Sequence, residues 1–169
     1  MTQDGTLVVA DGRGVLRFER TLHHPPETVF AALLDPDSLR AWFPCRIDGG
    51  WEVGAPLTFT FETRGEADAR SAGNGFPITS GEVVAHDPPR HLEYTWDQET
   101  LRFDLSPTDD GGTLLIFVHT FPDPESAPNY AGGWHQLLDA LAAHLDGGTP
   151  DLSKARNAEI TAAYGQLAP

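Results

Sequence analysis

A chain of 169 residues with 40% apolar and 21% charged side chains is one globular domain's worth of polypeptide, and two full domains do not fit. Eleven basic residues against 25 acidic ones leave a formal charge of -14, which repels phosphate backbones and anionic lipid and so argues against nucleic acid or a membrane as partner. The single cysteine, Cys45, excludes an intrachain disulfide and any multi-cysteine metal site, and suits a reducing cytoplasm.

Residues 1–13 are polar and contain glycine, and their short Leu7-Val8-Val9 run lacks both the basic start and the apolar length of a secretion signal. They read as a flexible arm on a cytoplasmic protein. No window approaches the ~20 apolar residues of a membrane span. From Gly14 the pattern is that of one domain running to Gly148, followed by a tail over 149–169. Leu16 and Phe18 alternate with Val15, Arg17 and Glu19, which predicts a first strand ended by His23-His24-Pro25-Pro26. Two short helices follow, Glu27 to Leu34 and Pro36 to Trp42, the second with Asp35 as N-cap.

From residue 50 to 121 the period is two, broken by Gly, Pro and Asp clusters, the signature of an antiparallel meander. Leu57, Phe59 and Phe61 share one phase of a strand over 56–63, and a loop over 64–77 that is rich in Gly and Ala and contains Asp68 is a candidate gate. Leu92, Tyr94 and Trp96 share a face, Leu101, Phe103 and Leu105 repeat it, and Thr113 to Thr120 is apolar on both phases apart from His119. A final long helix is predicted near 127–146, because Tyr130, Trp134, Leu137, Leu138, Leu141 and Leu145 form one stripe before Gly147-Gly148. The tail carries a weaker helical pattern, capped by Ser153, with Ile160, Tyr164 and Leu167 on one side.

Several motifs carry a family resemblance in their order and spacing. They are Pro25-Pro26-Glu27-Thr28-Val29-Phe30, Asp35-Pro36 to Trp42-Phe43-Pro44, Gly81-Glu82-Val83 leading to Pro88-Pro89-Arg90-His91-Leu92, Tyr94-Thr95-Trp96, Gly112-Thr113 to His119, and Gly133-Trp134. Over residues 14–147 the chain resembles the SRPBCC superfamily, the START and polyketide-cyclase-like proteins, and within it the branch similar to the C-terminal domain of the heat-shock-protein-90 ATPase activator. The resemblance implies an α+β helix-grip fold, with a curved antiparallel sheet wrapped around the long C-terminal helix.

Such a fold leaves a hollow between sheet and helix unless large side chains fill it. The inward phase supplies Phe59, Phe61, Tyr94, Trp96, Phe103 and Phe117, the helix supplies Trp134, Leu138 and Leu141, and Trp42 stands at the rim. Together with inward-pointing His119, these eleven residues are the candidate site for a small hydrophobic or aromatic molecule. The plainer alternative is that the rings pack on one another and His119 is a satisfied core imidazole. No nucleophile elbow, phosphate loop or metal-ligand spacing is present, so no catalytic residue, cofactor or metal is assigned. Two rival readings stay open. One is a polyketide cyclase or dehydratase-like enzyme using the same cavity, with His119 or Tyr94 moving a proton. The other is a homodimeric or regulatory interaction protein, joined through Leu114, Ile116 and Val118 or through the tail helix.

Overall fold

Period-two alternation over half the chain produces a sheet with one greasy face, and that face needs a cover. In the computed structural model, which describes residues 5–61 and 78–167, the cover is a long helix. Strands β1 (Thr6–Ala10) and β2 (Arg13–Leu22) precede helices α1 (Pro26–Leu34) and α2 (Pro36–Trp42). Six strands follow: β3 (Arg46–Gly49), β4 (Pro56–Thr60), β5 (Ile78–Asp87), β6 (His91–Trp96), β7 (Glu99–Pro107) and β8 (Thr113–Phe121). A short 3-10 turn at Pro124–Ser126 leads into α3 (Ala127–Leu145), and α4 (Lys154–Ala163) closes the chain. The eight strands form one antiparallel sheet in the order β1-β2-β8-β7-β6-β5-β4-β3, a meander from β3 to β8 whose last strand returns to β2. This is the α+β helix-grip architecture expected.

The two short helices fold as their sequences dictate. The Asp35 carboxylate accepts a hydrogen bond from the Ser38 amide at 2.9 Å and so caps α2. Val29, Phe30 and Leu33 are buried, and the Trp42 indole N–H donates to the Ala32 carbonyl at 2.9 Å, pinning α2 on α1.

Three segments differ from the sequence reading. Residues 1–13 are not simply a flexible arm, because Thr6 to Ala10 pair with Arg17 to Arg13 as a hairpin. The Asp11-Gly12 pair takes φ of 52° and 76°, the geometry of a primed turn that matches strand twist, so its glycine marks a tight corner and not slack. Strand β3 was not anticipated, since four residues with only Ile47 half-buried show too little alternation to read. The strand expected over 56–63 ends at Thr60; residues 62–77, including the candidate gate, lie outside the described residues.

The tail is integral to the fold. The Ser153 hydroxyl accepts from the Arg156 amide at 3.2 Å, and Ile160 and Tyr164 are buried. Gln136 on α3 donates to the carbonyls of Asp151 and Ser153, both at 3.0 Å. At Gly132 an added Cβ would lie 2.0 Å from the Thr161 hydroxyl oxygen, so only glycine lets α3 and α4 approach this closely. The Tyr164 hydroxyl accepts from the Gly5 amide at 2.9 Å and engages His135 Nδ1 at 2.7 Å, tying both ends of the chain to α3.

On the outer face Leu114, Ile116 and Val118 are half-buried, Leu114 between Thr21 and Ser106, Ile116 between Glu19 and Asp104, and Val118 between Arg17 and Arg102. Arg102 and Asp104 pair at 2.7 Å on this face. Among the described residues no helix is long and apolar enough to cross a membrane.

Candidate functional site

Inward-pointing rings cross the sheet in an unbroken series. Phe18 meets Phe117 at 6.3 Å between ring centroids, Phe117 meets Phe103 at 4.9 Å, Tyr94 lies 6.1 Å from Phe103 and 5.9 Å from Phe59, and Phe59 stacks on Trp96 at 4.8 Å. From the helix side Trp134 closes on Phe117 at 4.5 Å. Past Trp96 and Trp134 the filling stops, and a cavity of about 380 Å³ opens under the N-terminal half of α3. Its apolar wall is Pro44, Phe61, Trp96, Trp134 and Leu137, and its polar wall is Thr79, Asp97, Glu99, His119, Asn129 and Tyr130.

Strand geometry places the polar wall. Trp96 and Glu99 are the last pair of the β6–β7 ladder, joined by a two-residue turn in which Asp97 has φ of 54°. Leu101 faces His119 across β7 and β8, and Glu99, two residues earlier on the same phase, reaches that histidine. His119 Nε2 and Glu99 Oε2 are 2.7 Å apart. The Trp134 indole N–H donates to His119 Nδ1 at 3.0 Å. An indole nitrogen only donates, so Nδ1 must accept and the ring proton sits on Nε2, from which it is given to Glu99. The Tyr130 hydroxyl donates to the other Glu99 oxygen at 2.6 Å. Trp134, His119, Glu99 and Tyr130 therefore form one directed chain that ends on a carboxylate.

Electrostatics follow from that chain. Burial pushes the Glu99 carboxyl upward, but the hydrogen bonds from His119 and Tyr130, with the charge of Arg13 added, outweigh it and hold its pKa below the usual carboxylate value. Arg13 also donates to the Gln98 carbonyl in the adjoining turn. Burial and the bond to Glu99 together push the Tyr130 phenol up to about 12. At neutral pH the site thus holds a carboxylate and an intact phenol.

Of the eleven residues named from sequence, Phe61, Trp96, His119 and Trp134 line this cavity. Trp42, Phe59, Tyr94, Phe103, Phe117, Leu138 and Leu141 do not line it, and each is at most 1% exposed. Burial pushes the Tyr94 phenol well above its usual value, with Cys45 adding to the effect. His119 is 1% exposed with both ring nitrogens engaged, which combines the inward placement expected with the satisfied imidazole weighed against it. Sequence reasoning missed Glu99, Asp97 and Asn129, and counted Tyr130 and Leu137 only as helix stripe. A signal for Glu99 existed: continuing the phase of Leu105, Phe103 and Leu101 backwards by two points that carboxylate inward.

Residues 23–146 match the family described as activator of Hsp90 ATPase homolog 1-like protein. The chain belongs to that family. Its matched span runs from the turn after β2 through α3 and includes every cavity-lining residue named above, in keeping with the SRPBCC resemblance of the motifs. Among solved structures, this family member is similar to protein BPP1335 from Bordetella parapertussis, with a TM-score of 0.74 and 24% identity over 96% of this chain and 89% of that one. It is also similar to a conserved protein of unknown function, EF2215, from Enterococcus faecalis, with a TM-score of 0.71 and 19% identity over 98% and 92%. CalU16 from Micromonospora echinospora gives 0.68 and 20% over 98% and 96%. At these identities the likeness shows the fold alone. No curated protein matches the chain.

Proposed function

We propose that this protein binds a small hydrophobic or aromatic molecule in the cavity beneath the N-terminal half of α3. The single observation that carries the reading is the cavity's construction: about 380 Å³ bounded by Phe61, Trp96, Trp134 and Leu137, with an ordered carboxylate and phenol at one end. That volume lies within the range of small-molecule sites, which are mostly apolar with a few placed polar groups. Gly133 supports it. An added Cβ there meets no described atom within 4 Å, although the position lies inside a 19-residue helix, where glycine costs about 1 kcal/mol relative to alanine. The empty position faces the cavity, so helix stability is conceded where bulk would fill the space.

Binding without chemistry fits the polar groups better than the cyclase reading does. His119 has both nitrogens committed to protein partners, and Tyr94 is outside the cavity. The dimer reading gains little support from the stripe Leu114, Ile116 and Val118, which is narrow and bordered by ion pairs. Thermal-shift measurements with a panel of bicyclic and polycyclic aromatics test the proposal. Stabilisation should grow with ligand concentration as RT ln(1 + [L]/Kd), about 2.7 kcal/mol at a hundredfold excess over Kd. No shift with any member of the panel would contradict it.

A further inference from the structure

Four of the N–H and O–H groups around the cavity are already engaged inside the protein, which leaves the Asn129 amide and the Thr79 hydroxyl as donors on its wall. Trp134 donates to His119, His119 and Tyr130 donate to Glu99, and the Trp96 indole donates to the Thr79 hydroxyl at 2.6 Å. Acceptors remain. Each carboxylate oxygen has two lone pairs, so each Glu99 oxygen keeps one after its protein hydrogen bond. Asp97 brings a second acidic residue to the same wall, and among the described lining residues none is lysine or arginine. The rings of Trp96, Trp134 and Phe61 line the same cavity, and aromatic faces attract cations. The chain as a whole carries a charge of -14, which draws cations toward it and repels anions.

We infer that the cavity selects an apolar or aromatic body bearing a protonated amine, with Glu99 as the anchor of the ammonium group, and that it rejects carboxylated ligands of the same shape. This rests on the ligand-binding reading above. It names the ligand class: the body occupies the tryptophan-lined space and the head sits at the carboxylate end.

A matched set of probes tests it: 1-naphthylmethylamine, 1-naphthalenemethanol and 1-naphthoate, titrated into the full chain with tryptophan fluorescence as readout. The amine should bind tightest and naphthoate weakest, at least about tenfold apart, the worth of one charge-assisted hydrogen bond. Glu99→Gln should weaken the amine by about tenfold while moving the alcohol by less than about threefold, because only the amine loses a charged partner. Asp97→Asn, where asparagine tolerates the left-handed backbone, should weaken the amine alone by a smaller factor. Naphthoate binding as tightly as the amine, or an amine preference that survives Glu99→Gln, would overturn the inference and leave the cavity reading standing. If none of the three binds, both fall. Should Glu99→Gln fail to fold, the ranking on the wild-type chain decides the matter.

Discussion

The two halves of the helix–sheet interface are made from the same alternating pattern and end differently. Under the C-terminal half of α3, Leu138 and Leu141 are buried to 1% exposure or less and neither lines the cavity. Under the N-terminal half, the inward phase of β7 and β8 carries Glu99 and His119 beside the buried Phe121, and α3 presents Gly133. One region buys stability from packing; the other concedes it. The difference teaches that a cavity in a grip fold needs no unusual backbone, only polar residues that satisfy one another on the inward phase and a missing side chain on the helix.

The largest expected effect breaks the comparison at the packed end. Phe117 touches Phe18, Phe103 and Trp134, so Phe117→Ala should cost ~3–5 kcal/mol in urea denaturation. A loss under ~1 kcal/mol would mean that this region is as loosely filled as the other. At the open end, Glu99→Ala strands the His119 Nε2–H in a buried position and removes the partner of Tyr130, which should cost ~1–3 kcal/mol. Gly133→Ala works in the opposite direction and should gain ~0.5–1 kcal/mol, because alanine suits a helix and its methyl group meets only space. A loss there would show that the position is crowded.

Two pH profiles sharpen the account further. The Glu99 pKa is lowered in the fold, so its contribution is present above the ordinary carboxyl value and disappears as pH falls through the lowered one. Glu99→Gln should therefore flatten part of the acid limb of stability against pH. Tyr130 is raised from about 10 to about 12, so its contribution is complete below 10 and disappears as pH rises toward 12. Tyr130→Phe should be less sensitive than wild type across that alkaline window, the smallest of these effects because the phenol is partly exposed.

The architecture was legible because alternation and caps are local. Asp35 at the start of α2, the phase of Leu92, Tyr94 and Trp96, and the stripe of α3 each appear within a single element. The hairpin at β1 was legible too, through Asp11-Gly12, but only when the glycine is read as a turn residue. The site was legible in part. An inward ring can line a space or fill one, and which occurs depends on neighbours from distant strands: Phe59 stacks flat on Trp96 and lies outside the cavity, whereas Trp96 reaches its wall. Glu99 was hard to see because a glutamate at the start of a strand ordinarily faces water. Its inward position makes sense only with Tyr130, 31 residues later, and His119 beside it.

The central claim is that the space facing Gly133 is where a ligand sits. Titration of 1-naphthylmethylamine into wild type and into Gly133→Leu, followed by tryptophan fluorescence with circular dichroism to verify folding, tests it most directly. Saturable binding to the wild type, weakened at least about tenfold in a folded Gly133→Leu whose new side chain occupies the cavity, is the result predicted. Equal affinity in both proteins would place the ligand elsewhere and contradict the account.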